Sequence, residues 1–426
     1  MNQETAISSD LFKVLSNKNF LKLWLSQVAS QVTTHMINFT LILKIYQITG
    51  SSLAVSLVIL AFYIPSIIFS LFGGVYVDRF SRKQILVWTN FLQAIIVLTY
   101  LLAGGNILLI LLILFIYSLI NQFFFPAEGA MIPQLVREKE ILAANSLYIF
   151  TFFITFMIGY GLAGPVIKLF GDLAPFYFGS AMLALAFLSV ASLPSDSLGA
   201  SKFKNKNEIY KNVFSDLKEC WNFIKKHRVV IPSLTNFTLS QLVIGILAVL
   251  APAIASEISK IDVRSTSLFL LFPAALGMMG GIFFLGINSR RFSQSSSQKK
   301  LAQDGLYLAG LALICVAYSG KIVHFLSSVG FNLNLLFFLM ALTALGGFGG
   351  AMIIVPSRSL LYQNTPSFLQ GRILGVLSLL VTSSFIFSVF IAGILADFLS
   401  VTTSLASLGF ALIFYNFFLK SKISSE

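Results

Sequence analysis

The sequence predicts an all-α membrane protein: twelve transmembrane helices in two six-helix, pseudo-symmetric bundles. The first observation is compositional. Of 426 residues, 57% are hydrophobic and only 11% charged, against about 25% charged in an ordinary soluble chain, and the mean hydropathy is +0.88. The second is that apolar runs recur from one end to the other, each roughly 20 residues long, the length that crosses a hydrocarbon core. The third is a polar interruption at 194–228, close to the middle, with six runs on either side. A segment in lipid must satisfy its own backbone hydrogen bonds, so these runs are helices. The short alternating segments of a membrane barrel are missing.

In order, the spans are read at 20–47, 52–77, 84–103, 106–126, 142–168, 173–193, 229–256, 265–289, 302–321, 333–355, 371–395 and 400–419. Basic residues orient them. With the N-terminus inside, the predicted cytoplasmic segments hold 23 of the 29 Lys and Arg, and the opposite side holds Lys168, Lys260, Arg264 and Lys321. This bias predicts a multi-pass protein of the cytoplasmic membrane with both termini in the cytoplasm. The net charge of +13 is thus an orientation signal, not a nucleic-acid footprint. The first run is too long for a signal peptide, has no small-residue cleavage site and is followed by eleven more. Cys220 and Cys315 offer no disulfide framework and no metal spacing. There is no Walker A sequence, paired-histidine zinc motif or serine elbow. The sequence predicts no enzyme, no cofactor and no metal; pumping would draw on an ion gradient or on the substrate's own.

The domains are read as bundles at 1–193 and 229–426, joined by a cytoplasmic linker at 194–228. In the linker Ile209, Val213, Leu217, Cys220, Trp221 and Ile224 recur at helical spacing, with Lys211, Lys218, Lys225 and Lys226 mostly opposite. That pattern predicts an amphipathic helix lying along the inner leaflet. The halves also share landmarks. Phe125-Pro126 closes span 4 and Val355-Pro356 closes span 10; Pro65 precedes Gly73-Gly74 in span 2, and Pro273 precedes Gly280-Gly281 in span 8.

Between spans 2 and 3 lies Gly74-Val-Tyr-Val-Asp78-Arg79-Phe-Ser-Arg82-Lys83, one acid and three bases in a very short connection. The corresponding stretch of the second half, Asn288-Ser-Arg290-Arg291-Phe292, keeps the bases and lacks the acid. The pattern G-x-x-x-D-R-x-x-R-K resembles the loop between helices 2 and 3 of major facilitator superfamily transporters, whose parallel six-helix halves suit the layout above. The resemblance implies a cytoplasmic gate made of Gly74, Asp78, Arg79, Arg82, Lys83, Glu128, Gly371 and Arg372. Asp78 would meet the start of span 11 near Gln370-Gly371-Arg372, because a carboxylate accepts hydrogen bonds at a helix N-terminus. Anchoring by the positive-inside rule alone explains Arg82 and Lys83 but not the acid.

Two further stretches narrow the family. Phe123-Phe-Phe-Pro126-Ala-Glu128-Gly-Ala-Met-Ile-Pro133-Gln-Leu-Val, followed by Ala143-Ala-Asn145-Ser146-Leu147, resembles the 4–5 loop of bacterial macrolide and enterobactin exporters; Ser215-Asp-Leu-Lys and Phe223-Ile-Lys-Lys-His227 are similar to the same branch. Lysophospholipid transporters carry a comparable loop. Gly159-Tyr-Gly161-Leu-Ala-Gly164-Pro165 in span 5 resembles the superfamily's antiporter motif, with Gly161, Gly164 and Pro165 as its core, although the glycine pair expected after the proline is Ile167-Lys168. Small residues there allow close helix packing with or without directional meaning. Gly277, Gly280 and Gly281 in span 8, and Gly346, Gly347, Gly349 and Gly350 in span 10, read as packing.

Span 1 carries a polar stripe: Gln27, Gln31, Thr34, His35 and Asn38. Polar side chains at such depth face a cavity or the bundle interior. Related exporters often have a Gly-Asp pair where this chain has Thr33-Thr34-His35. His35 lies about 22 Å along the helix from Phe20, near the midplane. It reads either as the titratable centre of a substrate-cavity wall or as a buried histidine bonded to a neighbouring helix. Tyr117, Asn121 and Gln122 in span 4, and Asn236, Ser240 and Gln241 in span 7, are the other cavity candidates. Acids inside spans are scarce: Glu128, Glu257 and Asp397 sit near span ends, and Asp304 starts span 9. His35 and Glu128 are therefore the candidates for proton coupling, itself an expectation from the resemblance.

The sequence thus predicts a functional monomer in membrane lipid that exports a small amphipathic organic molecule of drug, macrolide or siderophore type, by alternating access with proton antiport. A lysophospholipid or lipid flippase of the same fold is the nearest alternative. A non-transporting receptor or scaffold is the alternative of another class.

Overall fold

A computed structural model describes residues 13–77, 80–137, 140–194, 225, 230–258, 260, 262–288, 291, 292, 294–331, 334–364 and 367–423. Helices make up nearly all of them, and there is no strand among the described residues. The chain divides into two compact units, one of 1–50 with 57–202 and the other of 51–56 with 203–426.

The first unit is built from α1 (Lys18–Thr49), most of α2 (Ser52–Val77), α3 (Arg82–Ala103), α4 (Ile107–Leu135), α5 (Ile141–Phe170) and α6 (Ala174–Ala191). Local chemistry sets the ends. The side chain of Asn17 accepts from the N–H groups of Asn19 and Phe20 at 3.0 and 3.2 Å, satisfying donors a first turn leaves open. Its amide also donates to the carbonyl of Leu135 at 2.6 Å, tying the start of α1 to the end of α4. At the other end Gly50 has φ +64° and donates to Tyr46, a left-handed cap that glycine adopts without steric cost. Ser81 and Asn106 cap α3 and α4 in the same manner as Asn17.

The second unit holds α7 (Ile231–Ala253) with a π turn at Ile254–Ile258, then α8 (Phe272–Ile287) entered through a π turn at Ser267–Leu271. It continues through α9 (Ser295–Ala317), α10 (Ser319–Ser328), α11 (Leu335–Gln363), α12 (Ser367–Phe398) and α13 (Val401–Ile423). Within the first unit α1 packs on α4 and α5, and α3 on α4 and α6. The same pairings recur in the second unit, where α7 packs on α11 and α12, and α9 on α11 and α13. The repeat of neighbours is partial: α1 also packs extensively on α6, whereas α7 barely meets α13.

Among the described residues, eleven helical stretches are long and apolar enough to cross a membrane. α1 is outside that set although it has 32 residues, because its polar stripe dilutes its hydropathy. Two readings need correction. Spans 4 and 10 do not close at Pro126 and Pro356: α4 runs through Pro126 and Pro133, and α11 through Pro356. A proline removes one backbone donor and bends a helix, but in a packed membrane bundle ending the helix would leave more groups unpaired. The sequence also gave no warning of α10, a short helix after span 9. The linker helix expected over 209–224 lies outside the described residues.

Glycines set the closest approaches. A Cβ on Gly277 would collide with the backbone of Ala344, and one on Gly347 with the backbone of Ala274, so α8 and α11 touch main chain to main chain. Gly280 and Gly350, also read as packing residues, have nothing within 4 Å of a Cβ position.

Candidate functional site

The polar residues of α1 meet a matching row on α5. Trp24, Gln27, Gln31 and His35 are spaced three, four and four residues apart; Tyr148, Thr151, Thr155 and Gly159 repeat that spacing. The two rows interlock. Trp24 Nε1 donates to Thr151 Oγ1 at 2.8 Å. Gln27 Nε2 donates to the carbonyl of Tyr148 at 3.1 Å. Thr155 Oγ1 donates to Gln31 Oε1 at 2.8 Å. At Gly159 the helices press together: a Cβ there would lie 2.6 Å from His35 Cβ and 2.8 Å from the carbonyl oxygen of Val32. Interhelical hydrogen bonds and small residues are what bring helices together in lipid, where apolar burial drives nothing.

Glu128 closes one end of this seam. It sits on α4, in a helix whose Phe124, Ala127 and Met131 belong to a buried apolar cluster with Phe20, Leu23 and Leu86, and it is fully buried. The Tyr148 hydroxyl donates to Oε2 at 2.8 Å, whereas Oε1 has no hydrogen-bond partner. A buried carboxyl group held by a single donor is expensive and is retained where it does work.

His35 lies further along. Its ring meets Phe156 at 5.1 Å, Tyr160 at 5.8 Å and Phe152 at 5.9 Å between centroids. Its Nε2 is buried without a partner. Among the described residues no hydrogen bond from that nitrogen reaches a neighbouring helix, and Phe152 and Phe156 meet the ring edge-on.

The remaining stripe residues are buried and engaged. Thr34 Oγ1 and Tyr117 Oη lie 2.8 Å apart, joining α1 to α4, and Asn38 Nδ2 donates to the Thr34 carbonyl at 2.8 Å. Asn121 Oδ1 accepts from Gln93 at 3.3 Å, and Gln122 Nε2 donates to the Ser118 carbonyl at 3.0 Å. In the second unit Asn236 Oδ1 accepts from Tyr415 at 3.2 Å, Ser240 donates to the Phe237 carbonyl at 2.6 Å, and Gln241 is half-buried. Gln27, Gln31, Thr34, Asn38, Tyr117 and Asn121 are all buried.

At the predicted gate, Asp78 and Arg79 lie outside the described residues. Gly74 is in α2, and Gly371 and Arg372 are in the first turns of α12; their side chains are outside the description. Arg82 Nη1 donates to the Ala130 carbonyl at 3.1 Å, which places it on the stretch of α4 that bears Glu128, and Lys83 donates to the Leu193 carbonyl. Gly161 and Gly164 are buried on α5, with Pro165 half-buried beside them.

Sequence reasoning missed Tyr148, Thr151 and Thr155. Their signal was the shared three-four-four spacing with α1, which becomes visible only once the two helices are paired.

Known proteins give this geometry a family. The model of the Major Facilitator Superfamily matches residues 23–331. YkuC of Bacillus subtilis, an uncharacterised transporter of that type, is 25% identical over 73% of this chain and 72% of its own. BacE of Bacillus subtilis, assigned to bacilysin export, is 31% identical over 42% of this chain and 44% of its own. Macrolide efflux protein A of Streptococcus pyogenes is 28% identical over 29% of this chain and 31% of its own. Among solved structures, the nucleoside transporter NupG superposes with a TM-score of 0.70, covering 96% of this chain and 98% of that one at 12% identity; it speaks to the fold alone. The chain is a multi-pass membrane protein with the major facilitator fold, and it belongs to the Major Facilitator Superfamily of transporters.

Proposed function

We propose that this transporter exports a small amphipathic organic molecule, of drug, macrolide or siderophore type, from the cytoplasm by alternating access, in exchange for protons. The observation that carries the reading is Glu128: a fully buried carboxyl group, bonded on one oxygen to Tyr148 and unpartnered on the other. Antiport requires a group that takes a proton in one state and gives it up in another. Glu128 can do so if the cycle opens its second carboxylate oxygen to water, and Tyr148, its one hydrogen-bond donor among the described residues, belongs to the α1–α5 seam. Substrate occupying the site and a proton on Glu128 would then exclude each other.

Relatives named for macrolide efflux and for bacilysin export support the direction and the substrate class. His35 with its aromatic neighbours supplies a surface against which a ring system can lie. The row of Gln27, Gln31, Thr34 and Asn38 would act by positioning α1. Asn236, Ser240 and Gln241 on α7 would contact the substrate. Asp78, Arg79, Arg82, Gly371 and Arg372 would form the cytoplasmic gate, with both termini on that side. The antiporter-like Gly161, Gly164 and Pro165 would give α5 its bend. The transporter works as a monomer.

The test is transport into proteoliposomes holding the purified chain, with labelled macrolides and lipophilic dyes as probes, with and without an imposed pH gradient. Uptake of at least one probe against its own gradient, abolished by a protonophore, is expected. Uptake indifferent to the pH gradient would end the coupling; no uptake of any amphipathic probe would end the substrate class.

A further inference from the structure

Asp397 stands at the last turn of α12. Its carboxylate gathers three donors from one place: the Ser51 hydroxyl, the Ser52 N–H at 2.8 Å and the Leu53 N–H at 3.4 Å. These are the opening residues of α2, 345 positions away in sequence for Ser52. The Ser51 hydroxyl in turn accepts from the Ala54 N–H at 3.2 Å, so serine and aspartate together cap the helix. Gly393, one turn earlier on α12, makes the approach possible. A Cβ there would collide with the Ser56 hydroxyl and lie 3.0 Å from Leu53 Cα. Ser52, Val55 and Ser56 are buried as a result. Residues 51–56 group with the second unit, whereas α2 from Leu57 onward groups with the first.

A carboxylate against a helix N-terminus is favourable because it meets unpaired N–H groups and the positive end of the dipole. The sequence led to the same device at the opposite ends of the same two helices, where Asp78 follows α2 and Gly371 and Arg372 begin α12. Here the roles are exchanged: the acid ends α12 and the N-terminus belongs to α2.

We propose that Asp397 is the positioning residue of a clasp on the first turn of α2, which is made and released once in each transport cycle. Asp397 holds the first turn of α2, Gly393 provides the seat, and release frees that turn to move with the rest of its helix. The role in the cycle rests on the proposed transport function; the clasp itself does not.

The experiment therefore reads the clasp without a substrate. Ser56→Cys is placed in a chain whose Cys220 and Cys315 are replaced by serine, and the protein is held in lipid nanodiscs. Its labelling rate by a small hydrophilic maleimide is measured with Asp397 intact, with Asp397→Asn, with Asp397→Glu and with Gly393→Val. Loss of a helix cap shifts an equilibrium about fivefold, so Asp397→Asn is expected to speed labelling about fivefold. Gly393→Val, which blocks the seat and leaves the charge, is expected to do the same, and Asp397→Glu to restore slow labelling. Labelling at the parent rate in both Asp397→Asn and Gly393→Val would overturn the clasp. Faster labelling with maximal transport velocity still at the parent value would overturn its place in the cycle. A parent chain that moves no probe would overturn the transport reading alone and leave the labelling result standing.

Discussion

Replacing Gly159 by alanine puts a methyl group where α1 and α5 are in contact. The new Cβ would lie 2.6 Å from His35 Cβ, 2.8 Å from the Val32 oxygen and 3.1 Å from the Met36 nitrogen. Carbon atoms rest at about 3.5–4.0 Å, so the helices must part locally by about 1 Å. One turn away, the 2.8 Å bond from Thr155 to Gln31 would stretch to about 3.8 Å, beyond hydrogen-bond range. Over-packing of this kind costs about 1–3 kcal/mol, and an interhelical hydrogen bond in a membrane bundle about 0.6 kcal/mol more. The melting temperature in detergent, followed by loss of the monodisperse peak on gel filtration, is expected to fall by on the order of 5 °C. Gly280→Ala is the control, because nothing lies within 4 Å of its Cβ position and alanine is the better helix former. Melting of Gly159→Ala at the parent temperature, or an equal loss in Gly280→Ala, would refute the packed seam.

Tyr148→Phe removes the donor to Glu128 and keeps the ring; gradient-driven transport is expected to fall at least tenfold with the protein still folded, and parent-level transport would show that the hydroxyl is dispensable. Asn17→Ala removes both the cap of α1 and its tie to the Leu135 carbonyl, and is expected to destabilise the chain by about 0.5–2 kcal/mol, read as a lower melting temperature with the transported substrates unchanged. Asp78→Asn is expected to abolish transport while membrane protein level holds, which quantitative blotting alongside efflux would check; full activity would remove Asp78 from the gate.

What the sequence made legible follows from the range of each signal. Twelve spans could be read because a hydrocarbon core imposes one length on every crossing helix. The stripe of α1 was visible because Gln27, Gln31, Thr34, His35 and Asn38 obey one helix's periodicity. Their partners were not, since α5 reads locally as an apolar span in which Thr151 and Thr155 look incidental. In the same helix the antiporter-like motif drew the eye to Gly161, Gly164 and Pro165, whereas the tightest approach to α1 is at Gly159; only the register between the two helices distinguishes them. Pro126 misled for a related reason. It is a local breaker, and the decision to continue α4 is made by the bundle around it. Asp397 was noticed as an acid near a span end, but its partner lies at the start of α2, and no local pattern links them.

Proton coupling through Glu128 is tested most directly by comparing two modes of transport in Glu128→Gln. Glutamine keeps the size and the hydrogen bond from Tyr148 and cannot exchange a proton. Substrate-for-substrate counterflow needs no net proton movement, whereas uphill uptake driven by a pH gradient does. The mutant is expected to retain counterflow near the parent rate and to lose gradient-driven uptake. Gradient-driven uptake at the parent rate in Glu128→Gln would contradict the assignment.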